Sequence, residues 1–148
     1  MEIDGNTIVA AARGWIGTPY IHQASLKGVG CDCLGLLLGV WRETHDKAVP
    51  DVPVYSMDWG ETTGEEVMIN RFGAHMDEIA RADAMVGDVL VLCMLRTGPA
   101  KHCGFLASSE NGEATIIHSR ANMLVFEELL TKDLERRIVK IYRVPRAA

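Results

Sequence analysis

The sequence predicts an α+β fold in a single domain, with helices in the first half of the chain and antiparallel strands in the second. Two segments with helical spacing of apolar residues lie before residue 46. Apolar runs of strand length, separated by turn residues, occupy the chain from residue 89 onward. Helices that precede a group of strands commonly pack on one face of the sheet. We therefore expect the chemical site where these two halves meet.

The first predicted helix covers residues 6–15. Its apolar residues recur at the spacing of one helix face and are Ile8, Ala11, Ala12 and Trp15. The helix is expected to end before Pro19, because proline disfavours helical backbone in the residue that precedes it. Residues 17–31, which contain Gly28 and Gly30, are predicted to form a loop.

The second predicted helix begins at Asp32, a residue type that caps helix N-termini, and runs to about His45. Its apolar residues cover almost all sides and include Leu34, Leu36, Leu37, Leu38, Val40 and Trp41. A helix that is apolar on most sides is a central, buried helix. Cys33 lies in its first turn and is therefore expected to be held rigidly.

The middle of the chain is predicted to contain a connector and one more helix. Residues 46–59 include Pro50 and Pro53 and are typical of an extended connector. Residues 61–72 have an amphipathic pattern, and Gly73 is the expected end of this third helix.

Five strands are predicted in the second half. The run 89–95 is continuously apolar, as in a strand buried on both faces. The remaining candidates are 102–107, 114–120, 138–144 and, with a weaker pattern, 124–127. The turn residues Glu110, Asn111 and Gly112 join the strands at 102–107 and 114–120 into a hairpin.

Composition excludes several classes of function. A chain of 148 residues with 48% hydrophobic and 24% charged residues is typical of one soluble globular domain. The net charge is -5 and the longest basic cluster is Arg136–Arg137, so we expect no nucleic-acid partner. The N-terminus lacks the pattern of a secretory signal, and the apolar runs are too short for membrane insertion. We therefore expect a protein that is made in the cytoplasm.

Cys33 is the candidate nucleophile among four cysteines, which we expect to be reduced because a core of this size needs no disulfides. A thiolate is the reactive form of cysteine, and a helix N-terminus stabilises it through backbone N–H groups and the helix dipole. The N–H of Cys33 itself can stabilise an oxyanion. The other three cysteines, Cys31, Cys93 and Cys103, are assigned to structure.

Two histidines are the candidate partners of this thiol. Alternation along a strand places His102 on one face and Cys103 on the other, and the predicted hairpin brings His118 to the same face as His102. Gly104 leaves space beside them. We predict that His102 is the general base for Cys33, and that His118 bonds the second ring nitrogen of His102 and orients it.

These residues resemble the NlpC-type cell-wall cysteine peptidases, which have a papain-like fold. The matching segments, in family order and spacing, are GTPY at 17–20, GCDCLG at 30–35, GDV at 87–89, HCGF at 102–105 and IH at 117–118. The resemblance implies Cys33, His102 and His118 as the catalytic set. It implies a role for Tyr20 in supporting the oxyanion. Leu34 and Cys103 depart from the serine and valine that are usual in the family.

The first motif is similar to the branch of this family found in phage tails and gene-transfer agents. The likeness lies in His22 and Gln23 after the tyrosine, and in Cys-Asp-Cys before Leu-Gly. The resemblance implies peptidoglycan as substrate, often its γ-D-glutamyl to diamino-acid bond, and tail or baseplate proteins as partners in a virion-like particle. It implies no cofactor. His22 and Gln23 either line the substrate groove or belong to an ordinary polar loop.

Three other interpretations remain open. The first is a structural zinc site formed by Cys31, Cys33, His102 and Cys103, although adjacent strand residues point to opposite faces. The second is a tail-tip plug module that keeps the peptidase fold without cutting. An amidase or transacylase acting outside the cell wall would share the cysteine mechanism. Tyr20 is alternatively a core residue, and Asp32 is interpreted as a helix cap.

Overall fold

A computed structural model describes residues 2–45, 67–94 and 102–146 of the chain. The helices are α1 (Gly5–Arg13), α2 (Cys33–Thr44), α3 (Val67–His75) and α4 (Lys132–Arg137). The strands are β1 (Ser25–Leu26), β2 (Gly30–Cys31), β3 (Asp77–Glu78), β4 (Val89–Leu92), β5 (His102–Ser108), β6 (Ala114–Ser119), β7 (Val125–Leu129) and β8 (Ile138–Arg143). No helix in these ranges is long and apolar enough to cross a membrane.

The first two predicted helices are confirmed, with small shifts at their ends. Asp4 caps α1 by accepting a hydrogen bond from the N–H of Asn6 at 2.8 Å. The two helices approach closely because α2 carries Gly39 at the contact, where an added Cβ would lie 2.1 Å from the Trp15 ring. The sequence pattern therefore identified both helices and the buried face of α1.

The loop predicted over residues 17–31 contains the two-stranded hairpin formed by β1 and β2. The N–H of Asp32 donates to the carbonyl of Ala24 at 3.3 Å, which ties this loop to the start of α2. Gly35 makes the approach possible, since a Cβ there would lie 1.8 Å from the Ala24 carbonyl oxygen. The loop is thus packed directly against the helix turn that carries Cys33.

The main sheet is antiparallel and has the order β3-β8-β4-β5-β6-β7. The predicted hairpin is confirmed as β5 and β6, in which Gly104 pairs with His118. The weaker strand candidate is β7, which extends to Leu129 and pairs with β6. The α+β fold class is therefore confirmed.

Several predicted boundaries are wrong. The strand predicted over 89–95 ends at Leu92, so Cys93 lies just beyond it, and Leu95 lies outside the described residues. Gly73 lies inside α3 and does not end it, because the helix continues to His75. The predicted connector 46–59 and the first residues of the predicted third helix, 61–66, lie outside the described residues.

Helix α4 was not predicted from the sequence, because its six residues are too few to show a helical periodicity. The Thr131 hydroxyl caps it by accepting from the N–H of Leu134 at 3.2 Å. Leu134 then packs into a core on the face of the sheet that α1 and α2 leave uncovered. A helix this short is stabilised by its cap and its one buried leucine more than by intrinsic propensity.

The sheet separates two cores, and this separation decides on which side of the sheet the histidines lie. The core against α1 and α2 takes sheet residues Val91, Cys103, Phe105, Ala107, Ile117 and Val125. The core against α4 takes Leu90, Leu92, Ile116, Ile138 and Ile141, with Leu106 packed beside them. His102 and His118 alternate with the first set, so they lie on the α4 face and not on the face that α2 covers. Cys33 and His102 therefore meet at the end of β5, where His102 is the first residue.

Candidate active site

Cys33 is the first residue of α2, and its side chain is half-buried. The preceding residue, Asp32, is buried and caps the helix by accepting from the N–H of Gly35 at 2.7 Å. The second carboxylate oxygen of Asp32 accepts from the N–H of Gln23 at 2.8 Å. The cap thus fixes both the first turn and the loop beside it, as the sequence predicted for Asp32. The positive end of the helix dipole points at the thiol and favours its thiolate form.

Two neighbours hold the pKa of Cys33 well below its usual range, at about 5. The largest effect is a hydrogen bond from the thiol of Cys103, followed by the hydrogen bond and charge of His102. Burial and the charge of Asp32 act in the opposite direction. The pKa of Cys103 is correspondingly raised well above its usual range by Cys33 and by burial. Cys33 is therefore the thiolate of the pair and Cys103 its donor.

From the sequence, Cys103 was expected to have only a structural role. In the folded protein it lies next to the nucleophile candidate Cys33. It does point away from His102 along β5, but that direction is toward α2. Its Sγ lies 3.5 Å from the carbonyl oxygen of Cys33, and its side chain is buried. The missed signal was the alternation itself, because the neighbour of His102 on the helix-covered face must meet the first turn of α2.

His102 and His118 form a hydrogen-bonded pair. Nε2 of His102 lies 2.9 Å from Nδ1 of His118, and both side chains are buried. Nε2 of His118 in turn lies 2.7 Å from a carboxylate oxygen of Glu128. Burial and the nearby charges of His102 and Arg120 lower the pKa of His118 to about 3, so this ring is neutral near pH 7.

These contacts fix the position of each ring proton. A carboxylate only accepts, so the single proton of neutral His118 lies on Nε2 and is donated to Glu128. Nδ1 of His118 is then an acceptor, and Nε2 of His102 donates to it. The Nδ1 atom of His102 is the ring nitrogen left to interact with Cys33. The arrangement therefore orients His102 toward the thiol with a defined tautomer.

Glu128 is the functional candidate that sequence reasoning missed. The register pairs His118 with Phe126 and Ile116 with Glu128, so alternation puts Glu128 on the face that carries His118. The strand predicted from sequence stopped at residue 127, one position too early to include it. A correct strand end would have placed this carboxylate beside the histidine pair.

A cleft of about 310 Å³ opens above the thiol. It is lined by Tyr20, His22, Asp32, Cys33, Met94, His102, Ser119, Arg120, Ala121 and Met123. Burial raises the pKa of Tyr20 to about 12, with smaller effects from the charges of Cys33 and Asp32, so its hydroxyl keeps its proton. Gln23 is not among the described residues that line the cleft; its backbone N–H donates to Asp32, and its φ is 63°. The structure therefore brings Tyr20 and His22 to the cleft, but not Gln23.

The remaining two cysteines differ in exposure. Cys31 is fully buried, its carbonyl accepts from the Ser119 hydroxyl at 3.1 Å, and burial raises its pKa to about 11. Cys93 is half-buried beyond the end of β4, where its N–H donates to the carbonyl of Arg137. No three acidic, histidine or cysteine side chains in the described ranges are grouped as a metal site.

Replacement of Cys103 by alanine is expected to raise the pKa of Cys33, because the strongest hydrogen bond to its thiolate is lost. A hydrogen bond to a charged group is worth about 1.5–3 kcal/mol, which corresponds to a rise of about one to two pH units. The measurement is the pH dependence of Cys33 alkylation by iodoacetamide. Cys103→Ser keeps a hydroxyl donor and should shift the midpoint less. An unchanged midpoint in Cys103→Ala would show that this thiol does not stabilise the thiolate.

Replacement of Gly104 by alanine is expected to displace His118. An added Cβ would lie 2.8 Å from the Cβ of His118 and 2.9 Å from Ile116, in a well-packed part of the sheet. Overpacking of this kind typically costs about 1–3 kcal/mol in the free energy of unfolding. The matched control is Gly73→Ala in α3, where the nearest atom is 3.9 Å away and helix propensity predicts a gain of about 0.5–1 kcal/mol. Denaturant unfolding gives the free energy of unfolding of both variants. Equal values for Gly104→Ala and Gly73→Ala would contradict the predicted overpacking at Gly104.

Helices α1 and α2 cover one face of an antiparallel sheet, with a thiol at the start of α2 and a histidine at the start of β5. Comparison with solved structures shows that NlpC/P60 proteins have a similar fold. The neighbours include an NLP/P60 family protein similar to lipoprotein from Staphylococcus aureus and an NlpC/P60 family protein from Bacillus cereus, with TM-scores of 0.64 and 0.66. A third is the NlpC/p60 domain of peptidoglycan hydrolase SagA, with a TM-score of 0.63.

The structural likeness covers nearly the whole chain at low sequence identity. Each of the three neighbours is 17% identical over 96–98% of this chain. The chain spans 43% and 41% of the first two proteins and all of the third, which is a separate domain. No family model matches the sequence and no curated protein is similar to it. The resemblance to NlpC-type proteins is therefore confirmed as a likeness of fold.

Proposed function

We propose that the protein is a cysteine peptidase that hydrolyses amide bonds in the stem peptides of peptidoglycan. The observation that carries the proposal is the half-buried Cys33, whose pKa is lowered in a cleft where it meets the His102–His118 pair. A structural neighbour with this fold is a peptidoglycan hydrolase, which supports the choice of substrate.

In the proposed acylation step, the Cys33 thiolate attacks the carbonyl carbon of the scissile amide. The oxyanion that forms is stabilised by the N–H of Cys33, at the positive end of α2, and by the Tyr20 hydroxyl. Because the pKa of Tyr20 is raised to about 12, this hydroxyl is a donor throughout the neutral range. His102 gives its Nδ1 proton to the leaving amine, and a thioester with Cys33 remains.

In the proposed second step, water hydrolyses the thioester. Nδ1 of His102 is then unprotonated and accepts the proton of the attacking water, while Nε2 keeps its hydrogen bond to His118. The released carboxylic acid leaves the thiolate and the imidazolium restored. His118 keeps the same ring proton in both steps and acts by orienting His102.

The finer substrate assignment is the bond between γ-D-glutamate and the diamino acid, with His22 and, more weakly, Gln23 as contacts. Support comes from the motif resemblance and from the position of His22 on the cleft wall. We further propose that a phage-like tail carries the protein, together with tail or baseplate partners, after synthesis in the cytoplasm. The support for the tail is the form of the motifs at 17–23 and 30–35.

The test of the proposed activity is digestion of purified peptidoglycan, with mass spectrometry of the released peptides. We expect new amino termini at the diamino acid and new carboxyl termini at γ-D-glutamate. Products that end at another amide would support a peptidase of different specificity. If the wild type releases no more product than a Cys33→Ala variant, the proposed peptidase activity is contradicted and the plug module is favoured. For the tail, the test is labelling of purified phage-like particles with antibodies against the chain: label on the tail is expected, and unlabelled particles would contradict the tail.

Alkylation of the cysteines distinguishes an activated Cys33 from a thiol that binds zinc or that has lost its catalytic role. Brief treatment with iodoacetamide at pH 6.5 is expected to modify Cys33 ahead of the other three thiols. Cys31 and Cys103 are buried with raised pKa values, whereas Cys33 faces the cleft as a thiolate. Peptide mapping by mass spectrometry gives the order of reaction. Equal reaction of Cys33 and Cys93 at this pH would contradict an activated thiol, and stoichiometric zinc in the purified protein would favour the metal site.

A further inference from the structure

The hydrogen-bonded chain behind the thiol does not stop at the histidine pair but continues to an acidic side chain. His102 contacts His118 at 2.9 Å, and His118 contacts Glu128 at 2.7 Å. We propose that Glu128 is a positioning residue, which fixes the tautomer of His118 and thereby holds His102 with Nδ1 toward Cys33. This proposal rests on the proposed roles of Cys33 and His102.

The proton count shows why a carboxylate is needed at this position. Neutral His118 has one ring proton and two ring nitrogens, each within hydrogen-bond distance of a neighbour. With the proton on Nε2, both contacts are satisfied, because Glu128 accepts and Nδ1 accepts from His102. With the proton on Nδ1, the lone pair of Nε2 would face a carboxylate oxygen at 2.7 Å and repel it. Glu128 therefore selects the tautomer.

This selection matters most when His102 is an imidazolium. In that state both ring nitrogens of His102 carry protons, so Nε2–H needs an acceptor on His118. Only the tautomer with a free lone pair on Nδ1 of His118 provides one. Loss of Glu128 would let His118 adopt the other tautomer, which would place two N–H groups against each other at 2.9 Å. The thiolate–imidazolium pair would then lose a partner.

The packing around His118 leaves the ring little freedom to adjust. Its side chain is fully buried, the Phe126 ring lies 5.0 Å away, and Gly104 faces its Cβ. The ring is therefore held by packing, while its tautomer is set by polar contacts. Glu128 is the polar contact on the side away from His102.

Glu128 also faces charged groups on neighbouring elements. Nη1 of Arg120 lies 3.9 Å from the same oxygen that binds His118, a distance typical of a weak, partly exposed ion pair. A side cavity of about 270 Å³ is lined by Met94, Arg120, Glu128, Thr131, Asp133, Leu134 and Arg137. If Glu128 served only Arg120, its loss would change neither the tautomer of His118 nor the reactivity of Cys33.

The experiment compares Glu128→Gln and Glu128→Ala with Glu127→Gln as matched control. Glu127 is the adjacent acid on β7, but it pairs with Arg13 and Thr115. Nitrogen-15 NMR of the histidine rings reports the tautomer of His118. In the wild type and in Glu127→Gln we expect the Nε2–H form, and in Glu128→Ala a large fraction of the Nδ1–H form. In Glu128→Gln the amide oxygen can still accept from Nε2 of His118, so we expect a fraction of the Nδ1–H form between those of the wild type and of Glu128→Ala.

The functional readout is the rate of Cys33 alkylation between pH 5 and pH 8. For Glu128→Ala we expect a fall of about tenfold at pH 6, because a hydrogen bond to a charged group, which orients His118, is lost. If wall peptides are cleaved, kcat should fall by a similar factor with KM little changed. An alkylation profile and a His118 tautomer that both stay as in the wild type would overturn the proposal.

The design separates this proposal from the proposed substrate. Alkylation and ring NMR require no peptidoglycan, so a wild type that fails to cut wall peptides can still show the dependence on Glu128. That outcome would retain the positioning role and reject the substrate. If Glu128→Ala is unfolded, Glu128→Gln keeps the size of the side chain and carries the test. A Glu128→Gln profile equal to that of Glu127→Gln, with His118 still in the Nε2–H form, would then contradict the need for the carboxylate charge.

Discussion

Replacement of Cys33 by alanine is expected to reduce release of wall peptides by about 10⁴-fold or more, to the level without enzyme. Removing the nucleophile of a covalent mechanism typically costs this much or more, because no other group can form the acyl intermediate. The measurement is the rate of new amine formation during digestion of purified peptidoglycan. Thermal unfolding of the variant is measured alongside, because a half-buried thiolate with a lowered pKa also contributes to stability at neutral pH.

The matched control for this prediction is Cys93→Ala. Cys93 is also half-buried, but it lies beyond the end of β4 and does not line the cleft in the described part of the chain. It should keep activity within about twofold of the wild type, as expected for a group outside the reacting set. Activity retained in Cys33→Ala would reject Cys33 as nucleophile, and the search would move to another group in the cleft.

Replacement of His102 by alanine is expected to have the second-largest effect, a loss of about 10³-fold or more in kcat. His102 both donates the hydrogen bond that helps to lower the pKa of Cys33 and transfers the proton to the leaving amine in the proposed mechanism. The variant therefore loses thiolate and general acid together. Alkylation of Cys33 at pH 6 should fall as well, because the pKa of the thiol rises toward its usual value.

The sign of this pH effect follows from the lowered pKa. With a pKa of about 5, wild-type Cys33 is largely thiolate at pH 6, and alkylation should decline only as the pH falls through 5. In His102→Ala the decline should begin at higher pH. His75→Ala is the control, because His75 is an exposed residue in the last turn of α3. A His102→Ala profile that coincides with the control would show that His102 does not stabilise the thiolate.

The sequence was sufficient to predict the parts of the fold that rest on strong local patterns. The apolar residues of α2 predicted a buried central helix, and Asp32 predicted its start to the residue. Strand alternation together with one turn predicted that His102 and His118 share a face of a hairpin. These features depend on spacing within one element or on one tight turn, and such information is local.

The remaining features depend on how elements meet. Which face of the sheet α2 covers is decided by the packing of whole layers, so the sequence left the sides of His102 and Cys103 open. Glu128 was missed because the end of β7 is set by pairing with β6 and not by its own pattern. The short helix α4 packs Leu134 into a core whose other members come from strands far away in the chain, so its own short sequence does not predict it.

The two-sided sheet has a consequence for how this site responds to distant changes. Cys33 packs against the core that α1 and α2 cover, His102 and His118 lie on the α4 face of the sheet, and strand β5 contributes residues to both sides. Leu134→Ala would leave a cavity in the core on the α4 face, next to the side cavity that Leu134 and Glu128 both line, and we expect it to affect the histidine pair more than the thiol. The relative position of the thiol and the imidazole thus depends on the packing on both faces of the sheet. The reactivity of Cys33 can therefore be lost before the protein unfolds, when the packing on either face is weakened.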